Sequence, residues 1–176
     1  MKFSDIKTIP FGMYACDVSW NMLEGWLKGH EEDNINMDPF FQRGYVWNKD
    51  QKTAYVEYIL RGGMSGKDIF WNHPYWMNFR NKEGELVLVD GKQRINAVLG
   101  FLHDEVIAFG HKFSVYEDNM RMELATFRMH VNNIEDMKEI VEWYIGLNTG
   151  GAIHTKDDLK PALKFLNTEK KIKGEK

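Results

Sequence analysis

Cysteine is nearly absent from this chain: Cys16 is the single one in 176 residues. That excludes an internal disulfide and any cysteine cage for zinc, and Cys16 reads as a small buried hydrophobe in a strand. Long apolar runs are missing too. Nothing approaches membrane-spanning length, and the N-terminus Met-Lys-Phe-Ser-Asp is no signal peptide, so the expectation is a soluble cytoplasmic protein without a membrane partner. An excess of positive charge is also missing. The 23 Lys and Arg against 26 Asp and Glu leave a net charge of −3. No global electrostatic drive toward nucleic acid exists, and contact with DNA would need a local basic patch. The six histidines, at positions 30, 73, 103, 111, 130 and 154, show no pair at metal-ligand spacing, so no protein-borne metal site is expected. Internal repeats are absent.

What is present describes a globular domain. Hydrophobic residues make up 43% and charged residues 28%, a balance that argues against disorder. The length suits one domain with a full core, expected over residues 1–167, followed by a charged flexible tail over 168–176. Aromatics at 14% suffice for a core and for an aromatic-lined pocket or partner surface.

One stretch organises the rest: Leu86-Val-Leu-Val-Asp-Gly-Lys-Gln-Arg-Ile-Asn-Ala-Val-Leu-Gly-Phe101. Leu86 to Val89 reads as a short buried strand. Ile95, Val98, Leu99 and Leu102 fall at helical spacing. Almost no loop separates the two, so Asp90 is a candidate helix cap and Gly91 a sharp turn. Lys92 and Arg94 then sit in the first helical turn, where cations oppose the helix dipole. Either they point into water, or an anion at the helix start gathers them together with the backbone N–H groups.

Around that unit the chain reads in order. Tyr14 to Val18 is a strand, and Ser19 caps a short helix through Leu27. Gly29 to Asn34 is a solvated acidic turn whose spacing fits no metal loop. Pro39 and Gly44 forbid a helix in Met37–Trp47, while Phe40, Phe41, Tyr45 and Trp47 pin it to the core and hold Gln42 and Arg43 in place. Arg43 either pairs with a surface acid or serves a site. Asn48 and Gln51 form a capping box for a helix that stops at Gly62-Gly63. Ile69–Asn72 is a strand, and Pro74–Glu85 a hairpin-like excursion. Val106–Phe109 and Lys112–Val115 form a hairpin, and Leu124–Val131 returns to the sheet. Asn133 caps a helix through Ile145, which ends in Leu147-Asn-Thr-Gly-Gly151 with a glycine cap. Pro161 either kinks a last helix begun at Thr155 or places its start near Lys160.

Three segments in this order and spacing carry a family likeness: Pro39-Phe-Phe-Gln-Arg-Gly-Tyr-Val-Trp47 with Tyr58-Ile-Leu-Arg-Gly-Gly63, Val89-Asp-Gly-Lys-Gln-Arg-Ile-Asn-Ala97, and Leu147-Asn-Thr-Gly-Gly151. Together they resemble the ParB/sulfiredoxin-like superfamily, in the branch with an Asp-Gly-Gln-Gln-Arg motif that forms the N-terminal domain of GmrSD-type modification-dependent restriction enzymes. The resemblance spans roughly residues 37 to 160. It implies an α+β single domain, a small mixed sheet flanked by helices, that binds a nucleoside triphosphate with Mg²⁺ and ties its hydrolysis to a DNA-related process. Asp90, Gly91, Gln93 and Arg94 match the motif, and Asp90, Gln93 and Arg94 are the implied catalytic residues. Lys92 replaces the first Gln; a lysine still meets phosphate as a point charge, but hydrolysis suffers if the lost amide positioned water. Lys92 also stands where chromosome-partition ParB proteins carry Glu and where sulfiredoxin carries its catalytic Cys, so neither chemistry transfers.

The nucleotide pocket implied by the resemblance draws on Gln42, Arg43, Gly91, Lys92, Arg94, Asn148, Thr149, Gly150 and Gly151. Arg43 would clamp phosphate, Gln42 would orient water or a base, and Asn148 to Gly151 would shape the floor. No His-Asn-His-type nuclease domain fits after the motif, so the implied setting is a stand-alone domain of a phage, mobile element or split defence system. Two other readings stay open. One is a DNA-binding or nuclease accessory module that uses Lys49, Lys52, Arg61 and Lys67. The other is a phage interaction module that inhibits a host enzyme through Trp71, Tyr75 and Trp76, whose plainer role is core packing.

Overall fold

The computed structural model describes residues 14–76, 83–121, 124–149 and 159–173. Four strands, β1 (Tyr14–Ser19), β2 (Asp68–Asn72), β3 (Val87–Asp90) and β4 (Thr126–Asn132), form one sheet in the order β1-β4-β2-β3. β4 runs antiparallel to β1 and parallel to β2, and β2 runs antiparallel to β3, so the sheet is mixed. Among the described residues five helices surround it: α1 (Leu23–Gly29), α2 (Lys49–Leu60), α3 (Lys92–Leu102), α4 (Met137–Thr149) and α5 (Lys160–Lys173). This is the α+β architecture expected.

The sheet separates two cores. On one face Val56 and Ile59 of α2 and Ile95, Val98 and Phe101 of α3 pack with Trp20, Trp71, Phe127 and Met129. On the other, Ile140, Val141, Trp143 and Tyr144 of α4 pack with Phe41, Leu159 and Ala162. β3 feeds both: Leu88 joins the first core, Val87 and Val89 the second. Side chains alternate along a strand, so burial on both faces requires an unbroken apolar run, as Leu86 to Val89 supplies. The outer edge of β3 is covered. Asn36 donates its N–H to Leu86 O at 2.8 Å and accepts that of Leu88 at 2.9 Å.

Several local expectations need correction. Asp90 does not cap α3; the N-cap is Gly91, with no side-chain cap. Ser19 does not cap a backbone N–H. Its hydroxyl bonds to Asn21 Oδ1 at 2.6 Å, and Trp20 N–H donates to Ala125 O at 2.9 Å, so a 3-10 turn (Trp20–Met22) precedes α1. Residues 106–115 hold a single bridge, Ala108 to His111, and a 3-10 turn in place of a hairpin. Phe109 and Gly110, at φ 51° and 79°, make the two-residue turn between the bridged residues, and no ladder extends beyond that one pair. Asn133 does not cap α4, because the Asn72 side chain bonds both backbone groups of Ile134 at 2.9 Å and holds that residue off the helix. Asp136 Oδ1 instead accepts the N–H of Lys138 at 2.8 Å. Cys16 is half-buried rather than buried. Phe41 is buried and Trp47 packs on the core, but Phe40 and Tyr45 are exposed.

The capping box of α2 is present as expected, with Gln51 N–H on Asn48 Oδ1 at 2.9 Å and Asn48 N–H on Gln51 Oε1 at 3.0 Å. α5 starts at Lys160, as one reading of Pro161 has it, and continues to Lys173 through most of the expected tail; Thr155 lies outside the described residues. The middle of the Pro74–Glu85 excursion, residues 77–82, lies outside the described residues.

Candidate functional site

A cavity of about 420 Å³ opens at the N-terminus of α3. Gly91 makes the turn that places it there. Its φ is 116°, and a Cβ at this position would stand 2.5 Å from Ile69 Cδ1, so only glycine lets β3 pass straight into α3. Gly91 brings no side chain to cap α3, so among the described residues no side-chain cap meets its first-turn N–H groups beside the cavity.

Three segments far apart in the chain meet here: Gln42 and Arg43, Asp90 to Arg94, and Leu147 with Asn148. Arg43, Lys92 and Arg94 bring three cations, and Asp90 one carboxylate. Arg94 pairs with Asp90 across the strand–helix junction. Asn148 is buried, its amide donating to Tyr144 O at 2.7 Å. Thr149 is exposed, bonds back to Gly146 O and does not reach the wall, while Gly150 and Gly151 lie outside the described residues.

A family model for the N-terminal domain of the GmrSD restriction endonuclease matches residues 23–171. The chain belongs to this family. No curated protein and no solved structure matches it. The match encloses every segment that lines the cavity, so this restriction-associated domain carries the whole pocket.

Within this GmrSD-type domain, two motif residues hold the neighbouring loop. The Lys92 ammonium is buried; it bonds to the Asp38 carboxylate, donates to Arg43 O at 3.2 Å and lies 4.6 Å from the centre of the Tyr45 ring. Both ends of the Gln93 amide are engaged, Nε2 on Gly44 O at 2.9 Å and Oε1 with the N–H groups of Val46 and Trp47 at 3.1 and 3.2 Å. Gln42 Nε2 donates to Leu88 O and Val89 O at 2.5 and 2.8 Å. The loop over residues 38–47 is thus strapped to β3 and to the first turn of α3 by polar side chains.

The sequence reading did not assign to the site the wall made by Trp47, Tyr55, Tyr58, Ser65, Gly66 and Tyr144. Its signal was available: Tyr55 and Tyr58 lie three apart on one helix face, and Gly62-Gly63-Met64-Ser65-Gly66 is more than a helix stop. Burial pushes the Tyr55 hydroxyl well above the usual tyrosine range, partly offset by Arg94. The Tyr58 hydroxyl is drawn down by its bonds to Ser65.

Elsewhere the candidate surfaces are partly consumed. Lys67 donates to Leu124 O at 2.8 Å, and Arg61 pairs with Glu57 and lies over the Phe109 ring, which ties up two of the four cations of the basic face. Trp71 is fully buried core and presents no anchor; Tyr75 and Trp76 are half-buried. Among the described residues, no cluster of three or more His, Cys, Asp or Glu is placed to hold a metal ion, and no helix is long and apolar enough to cross a membrane.

Proposed function

We propose that this domain binds a nucleoside triphosphate in the α3 cavity and acts as a nucleotide-dependent switch in a DNA-directed restriction or defence process. The observation that carries the reading is the convergence of Gln42-Arg43, Asp90–Arg94 and Asn148 on one cavity at an uncapped helix start. Backbone N–H groups of Lys92, Gln93 and Arg94 would meet the phosphate chain, with Arg94 and Arg43 supplying charge. Gln93 and Lys92 act as positioning residues, since their polar atoms hold the 38–47 loop. Asp90 orients the Arg94 guanidinium. With a single carboxylate on the wall, Mg²⁺ would enter with the phosphate oxygens it neutralises and be met by Asp90. The link to DNA rests on the family alone.

Thermal unfolding with each common ribonucleoside triphosphate and Mg²⁺ tests this. At least one raises the melting temperature, and Arg94→Ala weakens that ligand by roughly 10- to 100-fold, the worth of a lost charge-assisted pair. No shift with any of the four refutes the reading.

A further inference from the structure

The cationic side of the cavity suits a phosphate chain and leaves the aromatic side without a task. Besides Trp47 and Tyr144, that side is built by α2 and the turn after it. Tyr55 is half-buried, its ring 5.4 Å from that of Trp47 and its hydroxyl donating to Gly66 O at 2.7 Å. Tyr58 differs: it is 45% exposed, yet held on two sides. A Cβ on Gly63 would stand 2.4 Å from its ring, so the ring occupies space that only glycine leaves open. Its hydroxyl bonds to Ser65 Oγ at 2.8 Å and accepts the Ser65 N–H at 3.4 Å.

An exposed tyrosine ordinarily keeps its rotamer freedom. Here backbone contact and hydroxyl bonds remove it, although burial does not require that. A half-exposed ring fixed in a cavity wall is a stacking surface whose ordering cost has been met before a ligand arrives. Gly66 joins this wall to the charged one. With φ at 75°, its Cβ position lies 3.5 Å from the Tyr55 ring and 3.9 Å from Arg94 Cδ. The cavity volume falls in the range of about 300–1,000 Å³ typical of small-molecule pockets.

We infer that Tyr58, fixed by Gly63 and Ser65, is the stacking platform of a nucleobase subsite in this cavity. The inference rests on the triphosphate reading above and adds that the domain separates a nucleoside triphosphate from bare polyphosphate.

Titration calorimetry of the full chain with Mg²⁺, the four ribonucleoside triphosphates and inorganic tripolyphosphate tests it. The best nucleotide binds at least about tenfold tighter than tripolyphosphate. Tyr58→Ala abolishes that difference and leaves tripolyphosphate affinity unchanged, which also reports a folded variant. Tyr58→Trp restores the preference, and Gly63→Ala, which displaces the ring, behaves like Tyr58→Ala. Equal binding of both ligands by the unaltered chain overturns the base subsite and leaves the phosphate reading standing. So does an equal loss of both in Tyr58→Ala. Binding of neither ligand overturns the triphosphate reading itself.

Discussion

Lys92 shows how an unusual residue can be accommodated. Its side chain is 3% exposed, and that of its partner Asp38 is 70% exposed. One end of the pair is therefore dry and the other wet, and the two ends are not equivalent. Removing Asp38 leaves an ammonium in the interior with a carbonyl and an aromatic ring. Removing Lys92 leaves a carboxylate that water already solvates. Asp38→Asn is expected to cost about 2–3 kcal/mol, and Lys92→Met about 1 kcal/mol or less. Urea denaturation of both variants checks this; equal losses would show that the exposed end contributes as much as the buried one. The pair also fastens the 38–47 loop, so Lys92 contributes to the shape of the pocket besides its charge.

At the scale of elements, the site depends on two helix starts of opposite design. α2 begins with a complete capping box, both side chains bonded to backbone. α3 begins on a glycine with no side-chain cap. The first start is closed and serves stability. The second leaves its N–H groups toward the cavity, where a ligand can satisfy them. Asn48→Ala is accordingly expected to lower stability by about 1 kcal/mol, with Gln51→Ala costing less and the two losses non-additive because the bonds are reciprocal. Thermal denaturation of the two single variants and the double variant measures this. The same box anchors Tyr55 and Tyr58 further along α2, so it also steadies the aromatic wall.

At the scale of the molecule, two cores on either side of a four-stranded sheet hold the cavity rim, because β3 belongs to both. Stability of the whole carries a pH signature from His73. This residue is buried, its Nδ1 accepts the Tyr75 N–H at 3.2 Å, and its Nε2 has no hydrogen-bond partner among the described residues. Burial lowers its pKa below the usual 6.5, the nearby Asp33 opposing and His30 adding to the shift. The unfolded chain thus binds this proton more readily than the folded one. The contribution is fully present above pH 6.5 and is lost as pH falls through the depressed folded value. Urea midpoints compared at about pH 7.5 and 5.5 should drop on acidification, and His73→Gln should flatten the drop. An unchanged pH dependence in that variant would assign the acid sensitivity elsewhere.

Local chemistry was enough to determine much of this molecule from sequence. The apolar run Leu86–Val89, the Asn48–Gln51 box and the Gly91 turn each act within a few residues, and each is found as read. The three motif segments also share one cavity. Tertiary structure alone decided where polar side chains spend their hydrogen bonds. Lys92 and Arg94, read as pointing into water or gathered by an anion at a helix start, have carboxylate partners 54 and 4 residues away. Gln93 bonds a loop 46 to 49 residues distant. Ile134 is kept out of α4 by an asparagine 62 residues earlier. Spacing along a chain predicts the pairs that a helix or strand brings together, because those distances are set by backbone geometry. Pairings between elements depend on which faces the cores press together, and that is settled only when the sheet and helices pack.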